Sequence, residues 1–219
     1  MPLKDFEKKW GGGPTVGDKI KDLFRKKGPV KHNLVIANYK IRAMVSRLEV
    51  FIERLRSRDR DLFERVVDAL TQGDRTRAAM YANEIAEIRK MVRQLTMTQV
   101  ALEQVALRID TVLVMGDVTA GLVPVLGVIK ELKSLLRGVM PELSIELTEV
   151  EEGLRDVVIS TGEVLGMSGG DVYTSPEARK ILEEAKIVAE QRMKEKFPEL
   201  PVVSGVQQES QSAPASGTV

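Results

Sequence analysis

The stretch KHNLVIANYKIRAMVSRLEVFIERLRSRDRDLFERVVDALTQGDRTRA, residues 31–78, decides the fold. Leu34, Ile41, Leu48, Leu55 and Leu62 recur at heptad spacing, and Ala37, Met44 and Phe51 fill the companion positions. That a/d seam predicts one helix from Lys31 to Thr71, which needs a partner to bury its stripe. The strict heptad fails at Arg58 and Arg65, where Phe63, Val66 and Val67 take over and the stripe drifts around the helix. Gly73 suits the position just past a helix end and Asp74 suits an N-cap, so 72–75 reads as a tight turn. Beyond it, Ala78, Ile85, Ile88, Val92, Leu95, Leu102, Ala106, Ile109 and Leu113 draw a second stripe over 75–115. Two helices of nearly equal length across a short turn make a long antiparallel hairpin.

Further along, a third helix is expected over 118–137. Gly121, Pro124 and Gly127 lie inside it, which predicts a weak helix and a hinge. A fourth, over 141–165, carries Leu143, Leu147, Val150, Leu154, Val157 and Val158 inward. Its outer face is read as acidic, with Glu142, Glu146, Glu149, Glu151, Glu152 and Asp156. GMSGGDVYT (166–174) reads as a linker, and Ser175-Pro176 as the start of a fifth helix over 176–196. The end, SGVQQESQSAPASGTV, predicts a flexible tail. At the other end, Leu3, Phe6 and Trp10 precede the breaker GGGP, and Val16, Ile20, Leu23 and Phe24 form a second short amphipathic piece. Gly28-Pro29 is expected to end that piece. The chain therefore divides into a basic N-terminal segment (1–29), a helical core (30–165) and a C-terminal arm (166–219). The fold class is all-α.

Composition narrows the chemistry. The chain has 219 residues, no cysteine, one histidine and 4% aromatics. Disulfides, thiol catalysis and thiolate zinc sites are excluded, and a multi-histidine metal site is impossible. His32, at the start of the first long helix, reads as an exposed residue. No phosphate loop, dinucleotide fingerprint, HExxH or GxSxG occurs. The reading is a chain that is not an enzyme and carries no cofactor or metal. No apolar run approaches the roughly 20 residues of a membrane span, and no signal peptide is visible, so a cytoplasmic chain is expected. Abundant charge and absent cysteine hint at a thermophile. Charge is unevenly spread: residues 1–100 hold 22 basic and 13 acidic side chains, residues 101–219 hold 11 and 19. Opposite halves of this kind predict contact with a polyanion, or one half folding onto the other.

Two short segments stand out. Leu3, Phe6, Trp10, Ile20, Leu23 and Phe24 are affordable at a bilayer interface. Lys4, Lys8, Lys9, Lys19, Lys21, Lys26 and Lys27 add attraction to an anionic surface. Phe197-Pro198-Glu199-Leu200-Pro201 carries two prolines three apart, each directly after a large apolar residue. Such a segment is pre-extended and suits docking into a partner's groove.

The hairpin, the turn TQGDRTRA (71–78) and the run AAMYANEIAEIRKMVRQLTMTQVALEQVALRID (78–110) resemble the ESCRT-III superfamily, specifically the archaeal cell-division filament subunits. So does the order of basic core, hinge helices, acidic fourth helix, linker, fifth helix and proline motif, over roughly 16–201. FPELP is similar to the type 2 MIT-interacting motif that family members present to an AAA ATPase. The resemblance implies Phe197, Pro198, Leu200 and Pro201 as the ATPase-contacting residues. It further implies polymerisation with itself and with paralogous subunits, remodelling of the inner membrane face at mid-cell, and disassembly by the ATPase. Residues 202–219 are too few and too polar for a winged-helix tail. A phage-shock-type membrane-stress protein shares the fold but not the proline motif. A coiled-coil adaptor or nucleic-acid binder would leave the N-terminal pieces unexplained, and the basic half lacks base-stacking aromatics. No nucleic-acid partner is therefore expected.

Overall fold

The computed structural model describes residues 16–161 and 175–198, with side chains from Val30 onward. Five helices account for almost all of them: α1 (Val16–Thr71), α2 (Arg75–Met115), α3 (Val118–Leu136), α4 (Pro141–Ser160) and α5 (Pro176–Lys196). The expected all-α hairpin with shorter helices is what forms. The proposed linker at 166–174, the end of the expected fourth helix and the tail lie outside the described residues, as do Leu3, Phe6 and Trp10.

The turn forms as its chemistry demands. Gly73 is left-handed, with φ +75°. Its N–H donates to the Leu70 carbonyl at 3.0 Å, and the Asp74 N–H to the Ala69 carbonyl at 2.9 Å. These two bonds make a Schellman motif that satisfies the last carbonyls of α1. The Asp74 carboxylate then accepts from the Arg77 N–H at 3.0 Å, capping α2. The same pair of residue types recurs at Gly116-Asp117. Gly116 has φ +80°, and Asp117 accepts from the Ala120 N–H at 3.2 Å, so α2 turns sharply into α3.

Gly28-Pro29 does not end a helix. α1 is continuous for 56 residues, about 84 Å at 1.5 Å per residue. Proline deletes one backbone donor, and its ring disfavours helical geometry in the preceding residue through that residue's Cβ. Here the preceding residue is glycine, which has no Cβ. The lost bond is one among dozens in a long rod, and the flanking turns persist.

Leu34, Ala37, Ile41, Met44 and Leu48 are buried against α2, as the heptad predicts. The seam then moves one residue on. Ile52 is buried, whereas Phe51 is only partly covered. At Arg58 and Arg65, both exposed, the strict heptad fails as expected, and the seam runs instead through Asp59, which is 1% exposed, and on through Leu62, Val66 and Ala69, while Val67 stays exposed. A period near 3.6 rather than 3.5 is what a straight helix has, so a strict heptad must drift off the seam.

α3 is the central element rather than a loose joint. Leu122, Val123, Val125, Leu126, Val128, Ile129, Leu132 and Leu136 are all buried, and the helix packs on α2, α4 and α5. Residues 122–129 are apolar around the whole circumference and must be covered on every side, whereas Lys130, Glu131 and Ser134 face solvent. α4 lies along α1. α5 lies antiparallel to α2, on a stripe of Ala178, Ile181, Ala185, Ala189 and Met193. Ser175 caps it, accepting from the Ala178 N–H at 3.1 Å, with Pro176 in the first turn.

Candidate functional site

Two surfaces are assembled from distant parts of the chain. The first is an ionic seam where acidic α4 lies on basic α1. Lys40 Nζ lies 2.9 Å from Glu149 Oε2. Both terminal nitrogens of Arg47 donate to the two oxygens of Glu146, a fork-to-fork pair. The bond from Arg47 holds the Glu146 carboxyl below its ordinary range, and the charges of Arg47 and Lys40 add to the effect. The same bond raises Arg47 in turn. Both pairs are substantially exposed. At the same end, Asn38 and Arg42 both donate to Asp110 on α2, which sets the register of the hairpin. The part of α1 before about Asn33 therefore runs on past the end of α2, by roughly 25 Å at 1.5 Å per residue.

Along the basic length of α1, Lys40, Arg42 and Arg47 are thus engaged by acids of their own chain. Arg58 pairs with Glu84 on α2 at 2.8 Å, which raises its pKa. Arg56 pairs with Glu53. Arg54 is exposed. One acid of α4 departs from the solvated face expected for it. Glu151 is buried, because Lys133 of α3 and Arg155 one turn on both reach its carboxylate. A carboxylate enters a core when cations accompany it.

The second surface is on the hairpin where α5 ends. Phe197 is extended, with φ −120° and ψ 123°, as a residue before proline prefers. Its ring centroid lies 5.2 Å from the guanidinium carbon of Arg89. Arg89 Nη1 donates to the Pro198 carbonyl at 2.7 Å. From the other side Asp59 accepts two bonds from Arg89, at 2.7 Å from Nε and 3.1 Å from Nη2. A cavity of about 150 Å³ beside the ring is lined by Arg56, Asp59, Arg60, Phe63 and Glu64.

The predicted site residues are therefore placed as follows. Phe197 and Pro198 lie on the hairpin, and Leu200 and Pro201 lie outside the described residues. Lys19, Ile20, Lys21, Leu23, Phe24, Lys26 and Lys27 are in the first turns of α1, on the helix that overhangs α2. Asp59 and Arg89 were missed. Asp59 stands on the seam between Ile52 and Leu62, and Arg89 follows Ile88 on the facing helix, a pairing that appears only once the two helices are laid together. Among the described residues no helix is long and apolar enough to cross a membrane, and no acid or histidine cluster could hold a metal.

No family model and no solved structure matches the chain. Among the proteins that do are three of Sulfolobus acidocaldarius. Cell division protein B1 is 56% identical over 95% of this chain and 95% of its own length. Cell division protein B is 34% identical over 84% of this chain and 72% of its own. Cell division protein B3 is 31% identical over 53% of this chain and 68% of its own. Identity of this depth, spanning the hairpin and the helices folded onto it, means that the chain belongs to the cell division protein B family.

Proposed function

We propose that the chain is a polymerising membrane-remodelling subunit that acts on the cytoplasmic face of the membrane in archaeal cell division. The reading holds that it assembles with itself and with paralogous subunits, and that a partner AAA ATPase takes the assembly apart by engaging Phe197–Pro201. It assigns the chain no catalytic step and no cofactor. The relatives' names and the resemblance to ESCRT-III subunits support the setting.

The observation that carries the reading is the ionic seam. Lys40 and Arg47 meet Glu149 and Glu146 through exposed pairs that give little stability each, on the order of 1 kcal/mol or less. Contacts of that strength are exchangeable. The cations can be handed from α4 to lipid phosphates or to the acidic helix of another subunit without unfolding the hairpin. In the closed chain the acidic arm occupies the basic face, and in the assembled state the face is released.

Electron microscopy of purified protein, with and without anionic liposomes, tests this. Chain truncated after residue 140 should form filaments and coat liposomes at concentrations where the full chain stays monomeric. A truncated chain that is folded by circular dichroism yet remains monomeric and off the membrane would refute the exchange.

A further inference from the structure

A groove at the α2–α3 turn has no part in the function proposed above. The end of α2, the start of α3 and the first turns of α5 border a cavity of about 630 Å³ there. Its apolar lining is only half hidden. Val112 and Ile181 are buried, while Leu107 and Met115 are 62% and 78% exposed. Two large apolar side chains left in water within one concave site mark an interaction surface. Three acids, Asp117, Glu177 and Glu184, stand on the rim. Arg108 and Lys180 complete it, and Lys180 is loosely paired with Glu184 at 3.9 Å. The rim thus carries one more negative charge than positive.

The chain carries a segment with the complementary pattern. MPLKDFEKKW, residues 1–10, offers Leu3 and Phe6 as apolar anchors, with three lysines against two acids. It is also long enough. α1 overhangs the end of α2, where Met115 stands, by roughly 25 Å. An extended chain covers about 3.5 Å per residue, so counted back from Val16 Phe6 reaches about 35 Å and Leu3 about 45 Å. Met115 is therefore in range of Phe6. Leu107, about 12 Å further along α2, is in range of Leu3. Trp10, with a reach of about 20 Å, falls short of both. Gly11, Gly12 and Gly13 allow the chain to double back beside the rod.

We infer that the groove bordered by α2, α3 and α5 is a docking site for the N-terminal segment of this same chain, with Phe6 at Met115 and Leu3 toward Leu107. The docking stands on the groove, its charge and the reach of the segment. Its consequence rests on the reading of Leu3 and Phe6 as membrane-contacting residues. Anchors seated in the groove are withheld from a bilayer, so membrane affinity is reduced to the fraction of chains in which the segment is free. On release, Lys4, Lys8 and Lys9 exchange an acidic rim for an anionic surface.

Disulfide trapping in the full chain tests this, because the sequence has no cysteine of its own. Asp5→Cys, which leaves both anchors in place, is combined in turn with Thr111→Cys in the groove and with Val35→Cys, exposed on α1 outside it. A free tether meets both partners alike. A seated segment should crosslink to position 111 roughly tenfold faster than to position 35, within one chain at high dilution, because docking adds to the effective concentration of the tether. Phe6→Ala, or Leu107→Asp at its exposed site, should each remove most of that preference, with circular dichroism to verify the fold. Equal rates at the two positions, a preference that survives both substitutions, or crosslinks that join two chains overturn the inference. Co-sedimentation of the cysteine-free Leu107→Asp chain with anionic liposomes judges the consequence separately. Its binding should rise severalfold over the parent. Unchanged binding, beside a position-111 preference that Leu107→Asp removes, defeats the membrane reading of Leu3 and Phe6 and leaves the docking established.

Discussion

Gly121 of α3 stands against Val112 of α2 so closely that a Cβ on the glycine would lie far inside van der Waals contact distance of Val112 Cγ2. The contact lies just past the Gly116-Asp117 turn and fixes how α3 comes off α2. Gly121→Ala should force the helices apart, at a cost of about 1–3 kcal/mol, and lower the melting temperature by a few degrees. Val112→Ala in the same chain should return part of the loss. A double-mutant cycle in calorimetry reads the coupling, and strictly additive losses would mean that the two residues do not meet.

Acid should loosen α4 before it unfolds the hairpin. The Glu146 carboxyl is lowered mainly by its bond from Arg47, so the pair contributes at neutral pH and above the ordinary carboxylate range. That contribution is lost as pH falls through the depressed value. Hydrogen exchange over 141–160 should accelerate on acidification well ahead of exchange over 85–109. Arg47→Ala should accelerate α4 already at neutral pH and flatten the pH dependence. Parallel acceleration of both regions would count against a separable α4.

Removal of one member of the buried pair should cost more than removal of both. Asp59→Ala leaves Arg89 without its carboxylate, and breaking a buried pair costs about 3–5 kcal/mol. Asp59→Leu with Arg89→Met should lie within a kcal/mol or so of the parent stability, or above it. Denaturant unfolding of the three chains decides the matter.

The N-terminal turns of α1 should carry the membrane contact. Deletion of residues 1–27 removes Ile20, Leu23, Phe24 and the lysines around them. Co-sedimentation with anionic liposomes should then fall severalfold, and the parent's binding should weaken with salt. Undiminished binding at moderate salt would shift the contact to the arginines further along α1.

A synthetic 190–205 peptide should bind the partner's MIT domain with a dissociation constant that is roughly micromolar. Phe197→Ala with Leu200→Ala should abolish the heat of binding, since each apolar anchor contributes about 1–2 kcal/mol or more. The same substitutions should leave filament assembly intact.

The hairpin was legible because its information is local. Leucines at heptad spacing name the buried face, and Gly73-Asp74 names the turn, without any knowledge of a partner. Ser175-Pro176 announced α5 for the same reason. Pairing across the fold was not legible. Asp59 looks like one more charge in RSRDRD until Arg89, thirty positions on, is laid across from it. Glu151 looks like its neighbour Glu152 until Lys133 arrives from α3. Gly121 and Pro124 suggested a weak helix, because propensity alone does not report that α3 is enclosed by α2, α4 and α5. At Gly28-Pro29 two breakers in sequence were counted as two reasons to stop, although the glycine, having no Cβ, removes one of the clashes that the proline creates.

The unbroken course of α1 has a mechanical meaning. The turns that carry Ile20, Leu23 and Phe24 and the far tip at Thr71 belong to one rod. A joint at Gly28-Pro29 would let the two ends tilt independently, and any torque applied at one would be absorbed there. Without the joint, a tilt of 10° at the N-terminal end carries the other end sideways by about 15 Å, given 1.5 Å of rise per residue. Orientation at a surface is thereby geared up into displacement at the turn, and α1 works as a lever.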